Sequence, residues 1–158
     1  MTKYFLLFSL SITITSSLSG KNLKLANTFS DGIVFQRDKP INIWGSATPN
    51  KPINLIFGNE TKTSQSDDAG KWTITIGPLK ASSEPRAMSV KSEGTEIKIE
   101  DILVGEVWVC GGQSNMAWTL RGSTNADIEI PAANYPEIRF LKLPNVASPA
   151  ELDDFPKG

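Results

Sequence analysis

Asp67-Asp68-Ala69-Gly70-Lys71-Trp72-Thr73-Ile74-Thr75-Ile76 is a turn signal followed by strict alternation. Trp72, Ile74 and Ile76 fall on one side of an extended chain, with Thr73 and Thr75 on the other. That is the period of a strand with one buried and one wet face. The Asp-Asp-Ala-Gly turn delivers the chain into the strand with Trp72 as its first core anchor. The same period recurs upstream in Ile41 and Ile43, leading into Trp44, and in Ile53, Leu55 and Phe57. Downstream it recurs in Met88 and Val90, then in Ile97 and Ile99. Turn signals separate these runs at Thr48-Pro49-Asn50-Lys51, Gly58-Asn59-Glu60 and Ser92-Glu93-Gly94. Short strands at this spacing predict a small antiparallel β-sandwich over residues 21–101. General burial tendencies place Trp44 and Trp72 in its core rather than on a sugar-stacking platform.

The pattern changes at Ile102. Ile102-Leu103-Val104 and Val107-Trp108-Val109-Cys110 are nearly continuous apolar runs, the signature of strands covered on both faces in a parallel sheet. Gly111-Gly112 then breaks the chain. Asn125 to Ala133 has helical character and stops at Asn134-Tyr135-Pro136. Ile138, Phe140 and Leu141 read as a further strand ending at Pro144. Strand, helix and strand in this order predict the start of an α/β domain over residues 102–158. Only 57 residues follow position 101, too few for a complete doubly wound sheet with its own cover. This stretch is expected to be poorly ordered in isolation.

Chemistry concentrates in Cys110-Gly111-Gly112-Gln113-Ser114-Asn115-Met116. Two glycines permit a sharp turn, which would lift Ser114 to the carboxyl end of the preceding strand, where open α/β sheets bind ligands. Backbone N–H groups at the head of a following helix can face a developing oxyanion. The run does not have the Gly-x-Ser-x-Gly form, since Met116 stands where that form has glycine. On spacing alone, Ser114 and Asn115 read first as helix caps, ahead of a catalytic role. Cys110 reads as a small core residue ending a buried strand. A serine nucleophile needs a base, and the 158 residues contain no histidine.

Trp108-Val109-Cys110-Gly111-Gly112-Gln113-Ser114-Asn115-Met116 closely resembles the nucleophile block of sialate O-acetylesterases, which are SGNH-type hydrolases related to other carbohydrate acetylesterases. Further segments resemble the same family in the same order. They are Phe29-Ser30-Asp31-Gly32-Ile33-Val34-Phe35-Gln36-Arg37, Asp68-Ala69-Gly70-Lys71-Trp72, Val104-Gly105-Glu106-Val107-Trp108 and Ala132-Ala133-Asn134-Tyr135-Pro136-Glu137-Ile138-Arg139. The resemblance implies a β-sandwich followed by the truncated start of a flavodoxin-like parallel sheet. It implies Ser114 as the nucleophile on an acetyl ester, with the Ser114 N–H as one oxyanion donor. The other donors, the His base and its Asp would come from later blocks absent from these residues. Asn115 is not the family's oxyanion Asn. Ala117 stands where bacterial relatives often carry Glu. No metal or organic cofactor is implied. The implied partner is an O-acetylated sugar, either a sialic acid or a polysaccharide. The chain is therefore expected to be an N-terminal fragment of an acetylesterase, inactive alone. The alternative is a secreted β-sandwich that binds glycans without catalysis.

Composition bounds the remaining classes. Lys3, the apolar stretch Tyr4 to Ile14 and the small residues Ser17-Leu18-Ser19 predict a signal peptide over residues 1–19. The stretch is too short and too rich in Ser and Thr to favour an uncleaved anchor. The product is expected to be exported to the periplasm or the extracellular space. A lone cysteine permits no internal disulfide, so the fold rests on its core. The net charge of −1 and the lack of a basic cluster argue against nucleic acid as a partner.

Overall fold

In the computed structural model, residues 23–155 are described. The predicted signal segment lies outside them. The chain is mostly sheet with little helix. The described residues form strands β1 (Lys24–Leu25), β2 (Val34–Gln36), β3 (Ile41–Ser46), β4 (Pro52–Phe57), β5 (Glu60–Gln65), β6 (Lys71–Ile76), β7 (Ser82–Ser92) and β8 (Thr95–Gly105). These make a three-stranded sheet, ordered β1-β3-β6, and a five-stranded sheet, ordered β2-β8-β7-β4-β5. Among them every pairing is antiparallel except that of β2 with β8.

Alternation places the core where the sequence puts its aliphatic residues. Ile53, Leu55 and Phe57 of β4 are buried, and Trp72, Ile74 and Ile76 of β6 are buried in turn. Residues from both sheets join in one apolar cluster that also contains Ile43, Met88, Val90, Ile99, Ile102 and Val104. Strand-to-strand turns follow local chemistry. Between Ser92 and its partner Thr95, Glu93 and Gly94 both take positive φ, at 45° and 81°. A two-residue hairpin of this hand matches the twist of the strands it joins. At the head of β6, Asp67 accepts the Lys71 N–H on its side chain at 2.7 Å and the Gly70 N–H on its carbonyl at 2.9 Å.

One buried hydroxyl ties a crossing. Ser66 is 2% exposed; its Oγ accepts the Lys51 N–H at 3.0 Å and donates to the Thr48 carbonyl at 2.6 Å. Removing that oxygen leaves the part-buried Lys51 N–H without its acceptor, at a cost of about 1 kcal/mol. Ser66→Ala is therefore expected to lower the urea midpoint without changing its slope, as read by Trp fluorescence.

The structure departs from the sequence reading in four places. Ile102, Leu103 and Val104 are buried on both faces as expected, but they do not open a second sheet. They are the end of β8, in register with Val34, Phe35 and Gln36 of β2. The run therefore belongs to the five-stranded sheet, where Ile102 and Val104 join the apolar core and Leu103, on the alternate face, is buried as well. Val107 to Cys110 and Ile138 to Leu141 form no strands, and Trp108, Val109 and Phe140 are largely exposed. Among the described residues no strand lies beside them, and a strand without a neighbour leaves its backbone groups to water. Trp44 is 36% exposed, because the period of two that buries Ile43 turns the next residue to the outer face. There it meets the Phe29 ring edge-on, with centroids 4.8 Å apart. Finally, β5 has no apolar face; its Glu-Thr-Lys-Thr-Ser-Gln run sits at the sheet edge, paired with β4.

Candidate active site

Strand β8 hands the chain to the Ser114 segment at the end of β2. The Arg37 N–H donates to the Gly105 carbonyl at 2.9 Å, continuing the ladder one residue past the strands. The Gln36 side chain then holds the next two residues. Its Oε1 accepts the Val107 N–H at 2.9 Å, and its Nε2 donates to Glu106 Oε2 at 3.1 Å. Beside it, Asp38 bridges Arg37 at 2.8 Å and Lys80 at 2.7 Å. Lys80 first, and Arg37 with it, hold the Asp38 carboxyl below its usual range, while Asp38 and Glu106 raise the Arg37 guanidinium. The corner is thus a standing set of paired charges on the surface.

Beyond Val107 the chain is exposed up to a single 3-10 turn, Ser114–Ala117. The Met116 N–H donates to the Gln113 carbonyl at 2.9 Å and closes the turn. Gly112 is needed for contact: a Cβ there would lie 2.6 Å from Met116 Cγ, so the Met116 side chain folds back over the glycine. The cap position belongs to Gln113, with no side-chain cap hydrogen bond. Ser114 is therefore inside the turn, exposed, and not spent as a cap. The N–H groups of Ser114 and Asn115 head the turn, where a helical segment has no internal acceptors to offer them.

Cys110, read from the sequence as a core residue, is exposed. The reason is the same as for Trp108 and Val109, since no strand pairs with that run. The predicted helix is present as α1 (Ala126–Ala132), with Asn125 as its cap at φ 62° and none of its residues buried. Among the described residues no cluster of His, Cys, Asp and Glu could hold a metal ion.

Two long-range contacts of this segment escaped the sequence reading. One is the Gln36 clamp. The other is Arg139, whose guanidinium forks onto Asp101, Nη1 to Oδ2 at 2.8 Å and Nη2 to Oδ1 at 3.2 Å, and also donates to the Gly32 carbonyl at 3.1 Å. Both lie inside the segments that carry the family resemblance. Their sequence separations, 71 and 38 residues, are why no local pattern shows them.

Comparison with known proteins shows a structural likeness first. The chain is similar in structure to a carbohydrate acetylesterase from Xanthomonas citri, with a TM-score of 0.68 and 34% identity, over 72% of this chain and 26% of that one. The mostly-sheet body with its exposed Ser on a Gly-Gly turn thus resembles part of a carbohydrate esterase. The curated relatives that the chain resembles carry the name sialate O-acetylesterase. It is 29% identical to the mouse enzyme of that name over 154 residues, or 90% of this chain, and 27% identical to the human one over 147 residues. It spans 28% of the length of each of these relatives. No protein-family model matches.

Proposed function

We propose that this chain supplies the nucleophile of a serine-dependent carbohydrate O-acetylesterase that removes acetyl groups from the hydroxyls of sialic acids or polysaccharides. The observation that carries the reading is Ser114 itself. It is exposed at the head of a tight turn after two glycines, uncommitted as a cap, in a chain whose relatives are esterases of acetylated sugars. In this reaction the Ser114 Oγ attacks the acetyl carbonyl as a base takes its proton. The tetrahedral oxyanion is met by the Ser114 N–H and by further donors. The sugar hydroxyl leaves with a proton, and water then cleaves the acetyl-enzyme, releasing acetate and restoring Ser114. With no histidine among its 158 residues, the chain cannot supply an imidazole base. We therefore read it as inactive alone, requiring a histidine contributed by additional polypeptide. Acetate release from O-acetylated sialic acid and from acetylated xylan, measured on a polypeptide that adds the remaining length of the relatives, tests the role. Loss of release in Ser114→Ala supports it, and full retention overturns it.

One observation favours the second reading. The exposed face of Trp44 borders a groove of about 910 Å³, together with Phe29, Asn27, Ser30 and Lys71. An aromatic face beside the Ser30 hydroxyl suits a sugar ring, with Asn27 and Lys71 held at the groove wall by Phe155 and Asp153. Quenching of Trp fluorescence by a glycan, lost in Trp44→Ala, would support a binding module.

A further inference from the structure

We infer that the edge formed by Gly32, Gln36 and Asp101 is a two-point anchor that fixes both ends of the Ser114-bearing segment. Gln36 and Arg139 are then positioning residues for Ser114. The leading end is tied at Val107 by the Gln36 amide, which uses its oxygen on the Val107 N–H and its nitrogen on Glu106. The trailing end is tied at Arg139, whose fork takes both carboxylate oxygens of Asp101 and the carbonyl of Gly32. Gly32 lies two residues before β2 and Gln36 is its last residue, so the two ends of a long excursion return to one edge.

The receiving edge is built for this. The Gly32 N–H donates to the Glu100 carbonyl at 3.1 Å, and Asp31 Oδ1 accepts the Glu100 N–H at 2.7 Å. These bonds hold residue 100 in place and present Asp101, at φ 57°, outward. Asn and Asp tolerate that left-handed conformation better than other side chains. A Cβ on Gly32 would lie 3.0 Å from Arg139 Nη1, so the glycine also makes room for the guanidinium. Arg139 anchors its own loop as well, its Nε donating to the Pro136 carbonyl at 3.1 Å. Its side chain is only 25% exposed, whereas every residue from Glu106 through Ser123 is exposed.

The physical effect is loop closure. Tying both ends of a long segment to one rigid edge removes most of the positions that Ser114 could sample relative to the two-sheet body. A planar fork onto a carboxylate also fixes orientation, which a lysine at the same place would not do. The tie has catalytic meaning only if Ser114 is the nucleophile, as proposed above. Its existence is tested without turnover, so the two can fail separately.

The full chain provides its own reporter, because Cys110 is the sole cysteine and is exposed four residues before Ser114. A nitroxide on Cys110 reads segment mobility, amide exchange reads Val107 and residues 137–141, and the thermal midpoint from Trp fluorescence reads the two-sheet body. Gln36→Leu is expected to speed exchange at Val107 about tenfold, the loss of one net hydrogen bond, and to sharpen the nitroxide spectrum. Arg139→Lys and Asp101→Asn, which keep charge and backbone tolerance respectively, are each expected to speed exchange over 137–141. Their combination should go no further than either alone, with the midpoint unchanged in all. Unchanged spectra and exchange in Gln36→Leu and Arg139→Lys would overturn the anchor. So would additive effects of Arg139→Lys and Asp101→Asn, or a midpoint that falls in step with mobility, which would make these residues ordinary parts of the fold.

Discussion

The 158-residue chain is expected to release acetate from an aryl acetate no faster than its Ser114→Ala variant. A serine hydroxyl is almost wholly protonated near neutral pH, and attack needs a base in hydrogen-bond reach. The chain has no histidine, and the structure places Ser114 in an exposed turn with no side-chain cap bond. Removing the base from a working serine hydrolase costs roughly 10⁴–10⁶ in kcat, and losing a single oxyanion donor costs on the order of 10²–10³. Those losses exceed what turn geometry alone can offset. In a longer polypeptide that contributes a histidine, Ser114→Ala should accordingly lower kcat by roughly 10⁴–10⁶. Stopped assays with a chromogenic acetate, run on wild type and variant side by side, check both statements. Ser114-dependent turnover by the 158 residues alone would show that another group acts as the base.

Gly45→Ala should destabilise the two-sheet body far more than a methyl added at an open glycine. Gly45 lies in β3 opposite Leu25 of β1 and Trp72 of β6. A Cβ at this position would run into the carbonyl oxygen of Lys24 and lie 2.9 Å from Trp72 Cζ2. Neither neighbour can give way cheaply. The first is backbone of a paired strand, and the second belongs to a ring that is 3% exposed and part of the core. Overpacking of this kind costs about 3 kcal/mol. For a body of this size that is a fall in Tm of about 15 °C. Gly111→Ala is the matched control. Nothing lies within 4 Å of its added Cβ, so it should leave Tm unchanged. Differential scanning calorimetry of wild type and the two variants decides the matter, and equal midpoints would show that β1 does not pack against Gly45.

Much of the two-sheet body was legible because burial there is local and periodic. Ile53, Leu55 and Phe57, or Trp72, Ile74 and Ile76, declare a buried face within six residues. The strand β5 was not legible, since a polar edge strand carries no apolar period. Trp44 was misread for a related reason. Burial tendency by residue type pointed inward, while its parity with respect to Ile43 turned it outward.

The site divides in the same way. The Gly-Gly-Gln-Ser-Asn-Met run marks itself, because a turn that must bend sharply and carry a hydroxyl has few residue choices. The partner of the Ile102–Val104 run did not show. An apolar strand covered on both faces looks the same whether its parallel neighbour is β2 or a strand of another sheet. The partners of Gln36 and Arg139 did not show either, since hydrogen bonds across 71 and 38 residues leave no spacing to read. By itself, then, the sequence determined the strands with apolar faces, the turns between them, the identity of the candidate nucleophile and the lack of a histidine. Only the tertiary structure decided which strands pair, that Trp44 and Cys110 face outward, and that both ends of the Ser114 segment return to one edge. Period and composition are properties of neighbouring residues, whereas pairing and anchoring are choices among distant ones that only packing can make.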